Sequence, residues 1–146
     1  MALTDSFGRT ATDLRVSLTD RCNLRCVYCM PEAGLPWIPK REILTFEEIV
    51  QIVRASASVG VRSIRLTGGE PLVRRDLWRL VAQLRAIPGI DDIALSTNGL
   101  LLLDQMDALV AAGLTRVNIS LDTLREGRFL AGVHRHGRKT HYGIIH

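Results

Sequence analysis

The feature that most constrains this chain is a repeated strand-then-helix pattern, with an unusual motif at each strand's end. Leu14-Arg15-Val16-Ser17-Leu18-Thr19 alternates apolar and polar residues and reads as a strand. After a loop rich in Pro and Gly, Thr45-Phe46-Glu47-Glu48 is a capping box opening a helix with Ile49, Ile52, Val53 and Ala57 on its apolar side. Gly60 closes that helix. Ser63–Thr67 is a second strand, turned by Gly68-Gly69-Glu70-Pro71. Asp76 introduces a helix with Leu77, Leu80, Val81, Leu84 and Ile87 at helical spacing. A third strand, Asp92–Ser96, leads into Thr97-Asn98-Gly99. A third helix runs from about Asp104 to Ala112, and a fourth strand, Arg116–Ser120, ends in Leu121-Asp122-Thr123. Such alternation implies a parallel sheet with right-handed crossovers, either half of a (β/α) barrel or an open doubly wound sheet. Both gather ligands at the carboxyl ends of the strands, where every unusual motif falls.

The strongest chemical signal is Cys22-x-x-x-Cys26-x-x-Cys29, which holds all the cysteines of the chain. A disulfide framework wants an even number of cysteines, spread to close loops. Crowded thiolates suit soft metals and iron–sulfur clusters instead. Three cysteines on a four-iron cube leave one iron open to a small chelating molecule. A three-Cys zinc site would want a fourth ligand, and no histidine precedes His134. Plain buried thiols fit poorly beside Arg21 and Arg25. Gly68 and Gly69 would let a ligand approach the backbone, and Glu70 could accept from an ammonium group. An ordinary strand-to-helix turn is the bland alternative for these residues.

Composition sets the frame. Of 146 residues, 47% are hydrophobic, which supports a packed core in one domain or part of one. No apolar run reaches ~18 residues, and the start lacks the pattern of a signal peptide, so the expected compartment is the cytoplasm, with no membrane partner. The net charge of +4 is uneven. Residues 1–122 carry 14 basic and 14 acidic side chains, which argues against a nucleic-acid-binding face. Residues 123–146 carry five basic residues against Glu126, together with all four histidines. Arg74-Arg75 reads as a solvated loop and helix start, a phosphate site being the alternative. His134-x-His136 reads as a chance pair in a basic end rather than a chelate.

The three-Cys motif with Tyr28 before its last Cys, followed by Gly-Gly-Glu-Pro, resembles the radical S-adenosylmethionine superfamily. Within it, Leu14–Asn23, Cys29-Met30-Pro31-Glu32, Ile43–Glu48, Arg65–Leu72, Ser96–Gly99 and Val117–Leu124 resemble the GTP 3′,8-cyclases of molybdenum cofactor biosynthesis. The resemblance implies an incomplete (β/α) TIM-type barrel of about four parallel strands and three helices, with a disordered or irregular basic tail. It implies an enzyme whose [4Fe–4S] cluster binds and reductively cleaves S-adenosylmethionine. The resulting 5′-deoxyadenosyl radical abstracts a ribose hydrogen of GTP, and (8S)-3′,8-cyclo-7,8-dihydroguanosine 5′-triphosphate is the product. By position, Cys22, Cys26 and Cys29 would hold the cluster. Tyr28, Gly69 and Ser120 would contact S-adenosylmethionine, with Gly68, Glu70 and Asn98 close by. Arg15 and Arg65 would face GTP, with Ser96, or Thr97 in a shifted register, beside them. The implied partners are GTP, S-adenosylmethionine and an electron donor, with a homodimer or pairing with a full-length homologue left open.

The cyclases are much longer, and their C-terminal cluster cysteines and GTP-contacting Lys have no counterpart here. Residues 1–124 therefore read as the N-terminal half of a radical S-adenosylmethionine core and residues 125–146 as a divergent tail. A frameshift or early stop would produce such an end, leaving a marginally stable chain without full turnover. A non-catalytic cluster-binding remnant and a radical enzyme with another substrate are the rival readings.

Overall fold

The computed structural model describes residues 3–133. Four strands form one sheet: β1 (Asp13–Ser17), β2 (Ser63–Thr67), β3 (Asp92–Thr97) and β4 (Arg116–Ile119). They pair in sequential order, and every pair is parallel. Three helices lie in the crossovers: α1 (Phe46–Ser58), α2 (Leu77–Arg85) and α3 (Met106–Ala111). A right-handed crossover repeated in one direction puts every helix on the same face. A doubly wound sheet reverses its strand order and covers both faces, so this chain forms an arc of a (β/α) barrel.

The sheet's two faces differ because the side-chain period is two. Leu14, Val16, Ile64, Leu66, Ile93, Leu95 and Val117 point to the helix side and pack with Leu77, Leu80, Val81, Leu84 and Leu109. Each fully buried aliphatic side chain contributes about 2 kcal/mol. That outweighs an exposed ion pair such as Arg62–Asp91, worth about 0.5 kcal/mol. The core is therefore what sets the register: Arg15 lies opposite Arg65, and Arg65 opposite Ala94. Arg15, Arg65 and Ser96 share the other face.

The capping box of α1 forms as its residues dictate. The Glu48 amide donates to Thr45 Oγ1 at 3.2 Å, and the Thr45 amide donates to Glu48 Oε2 at 2.7 Å. The buried stripe is Ile49, Val50 and Val53, whereas Ile52, expected inside, is 45% exposed. At 100° per residue Ile52 falls about 60° beyond the Ile49 edge of that stripe, so the buried face is turned towards Val50 relative to the expectation. Asp76 precedes α2 without capping it through its side chain. It sits instead in the left-handed region (φ 56°), which a short polar residue tolerates.

The strand ends shift by a residue or two: Leu18 and Thr19 lie past β1, Thr97 belongs to β3 and Ser120 lies past β4. Of the stretch expected to be irregular, residues 126–131 form a short helix, α4 (Glu126–Ala131), with no buried residue. It forms because Arg125, in extended backbone, offers its carbonyl to the Arg128 and Phe129 amides, and no proline interrupts the turn. His134, His136 and the rest of the basic end lie outside the described residues. No described helix is long and apolar enough to cross a membrane.

Candidate active site

The three motif-bearing turns after β1, β2 and β3 meet at one end of the sheet, and their contact begins in the backbone. Beyond the β1–β2 ladder, the Gly69 amide donates to Thr19 O and the Glu70 amide to Arg21 O, each at 2.7 Å. This close approach explains both glycines. A Cβ on Gly68 would lie 2.5 Å from Thr19 O, and one on Gly69 would lie 2.3 Å from Arg21 O. Gly68 also has φ 147°, which a side chain would oppose. The expectation of open space for a ligand at Gly68 thus gives way to a tight chain crossing, while Gly69 stays exposed on its other side.

Glu70 is the hub of the next layer. It is 1% exposed, and both carboxylate oxygens are engaged. Oε1 accepts from the Leu72 amide at 3.0 Å and the Thr97 hydroxyl at 2.8 Å, and Oε2 accepts from the Asn98 amide at 2.8 Å. A buried carboxylate persists only when donors replace its water, and these three do. The Thr97 hydroxyl in turn accepts from the Gly99 amide at 3.0 Å. Asn98 then reaches the cysteine loop, its Nδ2 donating to Asn23 Oδ1 at 2.8 Å and lying 3.9 Å from Cys22 Sγ. Hydrogen bonds therefore run unbroken from the Gly-Gly-Glu-Pro turn through Thr97 and Asn98 to the first cysteine.

All three cysteines are free thiols, half-buried at Cys22 and Cys26 and exposed at Cys29. Burial pushes the Cys22 and Cys26 thiols above their usual range, and the charges of the neighbouring cysteines push the same way. That mutual influence means the three share one neighbourhood. Among the described residues no group of three Cys, His, Asp or Glu side chains is gathered closely enough for a single metal ion. Thiols of this kind are soft donors, suited to soft metals and iron–sulfur clusters.

Tyr28 lies on the same loop, and its hydroxyl donates to Asp122 Oδ2 at 2.7 Å. This bond to a carboxylate holds the phenol protonated well above its usual range. It also ties the cysteine loop to the segment after β4, where Ser120 anchors through its amide to Thr97 O at 2.8 Å. Sequence reasoning did not single out Asn23 or Asp122 as partners. Their positions, one beside Cys22 and one closing the Ser-Leu-Asp turn, were the available signal.

The Arg15–Arg65 face stands apart from this network. Neither arginine forms an ion pair or a side-chain hydrogen bond among the described residues. Ser96 is half-buried on that face. Thr97, the alternative to Ser96, is 2% exposed, on the helix side and held by Glu70, so it does not reach that face.

A parallel barrel arc with a three-cysteine loop at its carboxyl rim defines a class of protein, and comparison with known sequences assigns it. The pattern of the Radical SAM superfamily matches residues 16–143, and the chain belongs to that superfamily. Among its relatives, a protein of Heliobacterium modesticaldum named GTP 3′,8-cyclase is 58% identical over 134 residues, covering 92% of this chain and 41% of the relative. One of Pelotomaculum thermopropionicum with the same name is 61% identical over 125 residues, covering 86% of this chain and 38% of the relative. Molybdenum cofactor biosynthesis protein 1 of Drosophila melanogaster is 57% identical over 127 residues, covering 87% of this chain and 22% of the relative. The chain thus spans about two fifths, or less, of the length of these curated relatives. The crystal structure of BtrN in complex with AdoMet and 2-DOIA shares the fold, with a TM-score of 0.58 at 16% identity over 83% of this chain and 50% of that one.

Proposed function

We propose that this chain forms the cluster- and S-adenosylmethionine-binding part of a GTP 3′,8-cyclase, which acts on GTP in molybdenum cofactor biosynthesis. The observation that carries the reading is the hydrogen-bonded path from Glu70 through Asn98 to the loop of Cys22, Cys26 and Cys29. It fixes three strand-end turns around one group of soft thiol donors. A [4Fe–4S] cluster held by these thiolates would supply the electron for reductive cleavage of S-adenosylmethionine.

In this reading the exposed backbone of Gly69, the Tyr28 loop and Ser120 bind and orient S-adenosylmethionine. Asn98 borders that site. Glu70 and Thr97 are positioning residues: they hold the Asn98 turn and touch no ligand. Arg15 and Arg65 bind the triphosphate of GTP, with Ser96 beside them. Two arginines opposite each other in register, with no carboxylate partner among the described residues, suit an oligophosphate, because their donor forks match its oxygens. The names of the relatives support GTP as the substrate.

Anaerobic reconstitution tests the reading directly. The expected result is about four irons and four acid-labile sulfides per chain, with 5′-deoxyadenosine formed on reduction in the presence of S-adenosylmethionine. GTP deuterated on its ribose is expected to pass deuterium into that 5′-deoxyadenosine. Metal without sulfide, or a cluster that never cleaves S-adenosylmethionine, overturns the assignment. Cleavage without deuterium transfer removes GTP as the substrate and leaves the radical chemistry standing.

A further inference from the structure

A cavity of about 390 Å³ lies among the segment after β1, the turn after β2 and the start of α1, and none of the three cysteines, Arg15 or Arg65 lines it. Its polar lining is Thr19, Arg21, Lys40, Thr45, Arg74 and Arg75, four cations and two hydroxyl-bearing residues with no carboxylate. None of the four cations is in an ion pair among the described residues. The core residue Leu18 also lines the cavity.

Arg74 is not the solvated loop residue that the sequence suggests. Its Nη1 donates to Leu18 O at 3.0 Å, its Nη2 to Leu44 O at 2.7 Å, and its guanidinium lies 4.4 Å from the Phe46 ring centroid. Two neutral carbonyls and a ring fix the group without neutralising it. Glu47, at the start of α1, is the acid whose field reaches Arg74, and it does not line the cavity. Glu48 is held in the capping box. Arg21 adds an independent sign: its Nε is buried and has no hydrogen-bond partner. Such an orphan donor costs about 1–3 kcal/mol, and an acceptor in the cavity would recover it. A fixed cation, an orphan donor and two exposed cations around one concavity form an anion receptor.

We propose that this cavity binds a small phosphate-type polyanion at a site distinct from the strand-end site. Arg74 and Arg21 form its fixed base, and Lys40 and Arg75 close over the ligand from solvent. Two linked phosphoryl groups match four cations better than one does, so inorganic pyrophosphate is the probe and orthophosphate the weaker comparison.

The test is calorimetric titration of the full 146-residue chain, handled anaerobically, and it reads neither iron nor turnover. Saturable pyrophosphate binding is expected with Kd below about 1 mM, weakening steeply with added salt. The Lys40 and Arg75 side chains make no hydrogen bond among the described residues, so removing them leaves the melting temperature in place. Lys40→Ala with Arg75→Ala is expected to weaken binding at least about tenfold. Lys40→Gln with Arg75→Gln, which keeps side-chain length, gives the same loss if charge does the binding. Because the Arg15–Arg65 pair itself suits an oligophosphate, both Lys40–Arg75 pairs are also made in an Arg15→Ala, Arg65→Ala background, in which saturable pyrophosphate binding is expected to persist until they are added. In that background, binding that survives both Lys40–Arg75 pairs, binding already absent before they are made, or no saturation below about 10 mM overturns the proposal.

Discussion

The same four strands end differently at their two ends. At the amino end, Asp92 gathers the Arg116 guanidinium, the Thr115 hydroxyl at 2.6 Å and the Ser63 hydroxyl at 3.0 Å, so the starts of β2, β3 and β4 are tied together. Every charge in that cluster has a partner. At the carboxyl end, three free thiols and the orphan Nε of Arg21 stand near the buried Glu70 hub, and Arg15 and Arg65 lie unpaired among the described residues in the middle of β1 and β2. The polar groups of the amino-end cluster satisfy one another, whereas the carboxyl end keeps free thiols and an orphan donor. The contrast follows from the barrel layout, where loops after the strands carry chemistry and loops before them carry stability.

The strongest challenge to that contrast is at the thiols. Cys26→Ala is expected to reduce acid-labile sulfide and 5′-deoxyadenosine formation to background while leaving the thermal melt nearly unchanged, since a half-exposed thiol contributes little to packing. A melt that collapses with the activity would make the loop structural, and the two ends would no longer differ. Next comes the hub. Glu70→Ala strands the Leu72 amide, the Thr97 hydroxyl and the Asn98 amide, and opens a gap in a site that is 1% exposed. Stability is expected to fall by about 2–4 kcal/mol, read by urea unfolding. Glu70→Gln keeps the shape and loses less.

The amino-end network gives a smaller effect with a definite pH sign. The Arg116 hydrogen bond holds the Asp92 carboxyl well below the usual carboxylate range. A folded-state pKa below the unfolded value of about 3.9 means the stabilisation is fully present above that pH and is lost as pH falls towards the folded value. The Arg116 side chain is half exposed, so solvent screening keeps the pair to about 1 kcal/mol. Asp92→Asn is expected to cost about that much at pH 7, with wild type and variant converging below about pH 4. A gap that persists or widens in acid would show that the network works by shape rather than charge.

Much of this was legible in the sequence. The order of elements, the capping box at Thr45 and Glu48 and the grouping of motifs at one rim follow from periodicity and turn chemistry, which are local. What was not legible depends on contacts far apart in the chain. Glu70 looks like a ligand for a cation until Thr97 and Asn98, 27 and 28 residues away, are seen to saturate it. Ser96 and Thr97 both offer a hydroxyl at the end of β3, and only the strand's parity separates the Arg15 face from the Glu70 side. Arg74 looks solvated because its partners, the carbonyls of Leu18 and Leu44, carry no sequence signature at all.

The smallest expected effect asks whether the rim is assembled before a ligand arrives. Tyr28 is 71% exposed, and its bond to Asp122 joins two segments 94 residues apart. An exposed phenol–carboxylate bond contributes about 0.5–1 kcal/mol, so Tyr28→Phe is expected to shift the melt only slightly. Its larger consequence is order: without the bond the cysteine loop keeps, among the described residues, only the Val27 amide on Gly132 O, at 3.0 Å, as its tie to the segment after β4. S-adenosylmethionine cleavage is therefore expected to show a raised KM with kcat little changed, and Asp122→Asn, which keeps an acceptor oxygen, to recover most of the affinity. Equal losses in kcat from both variants would instead mean that the Asp122 charge acts during the reaction, which would move β4's end from scaffold to chemistry.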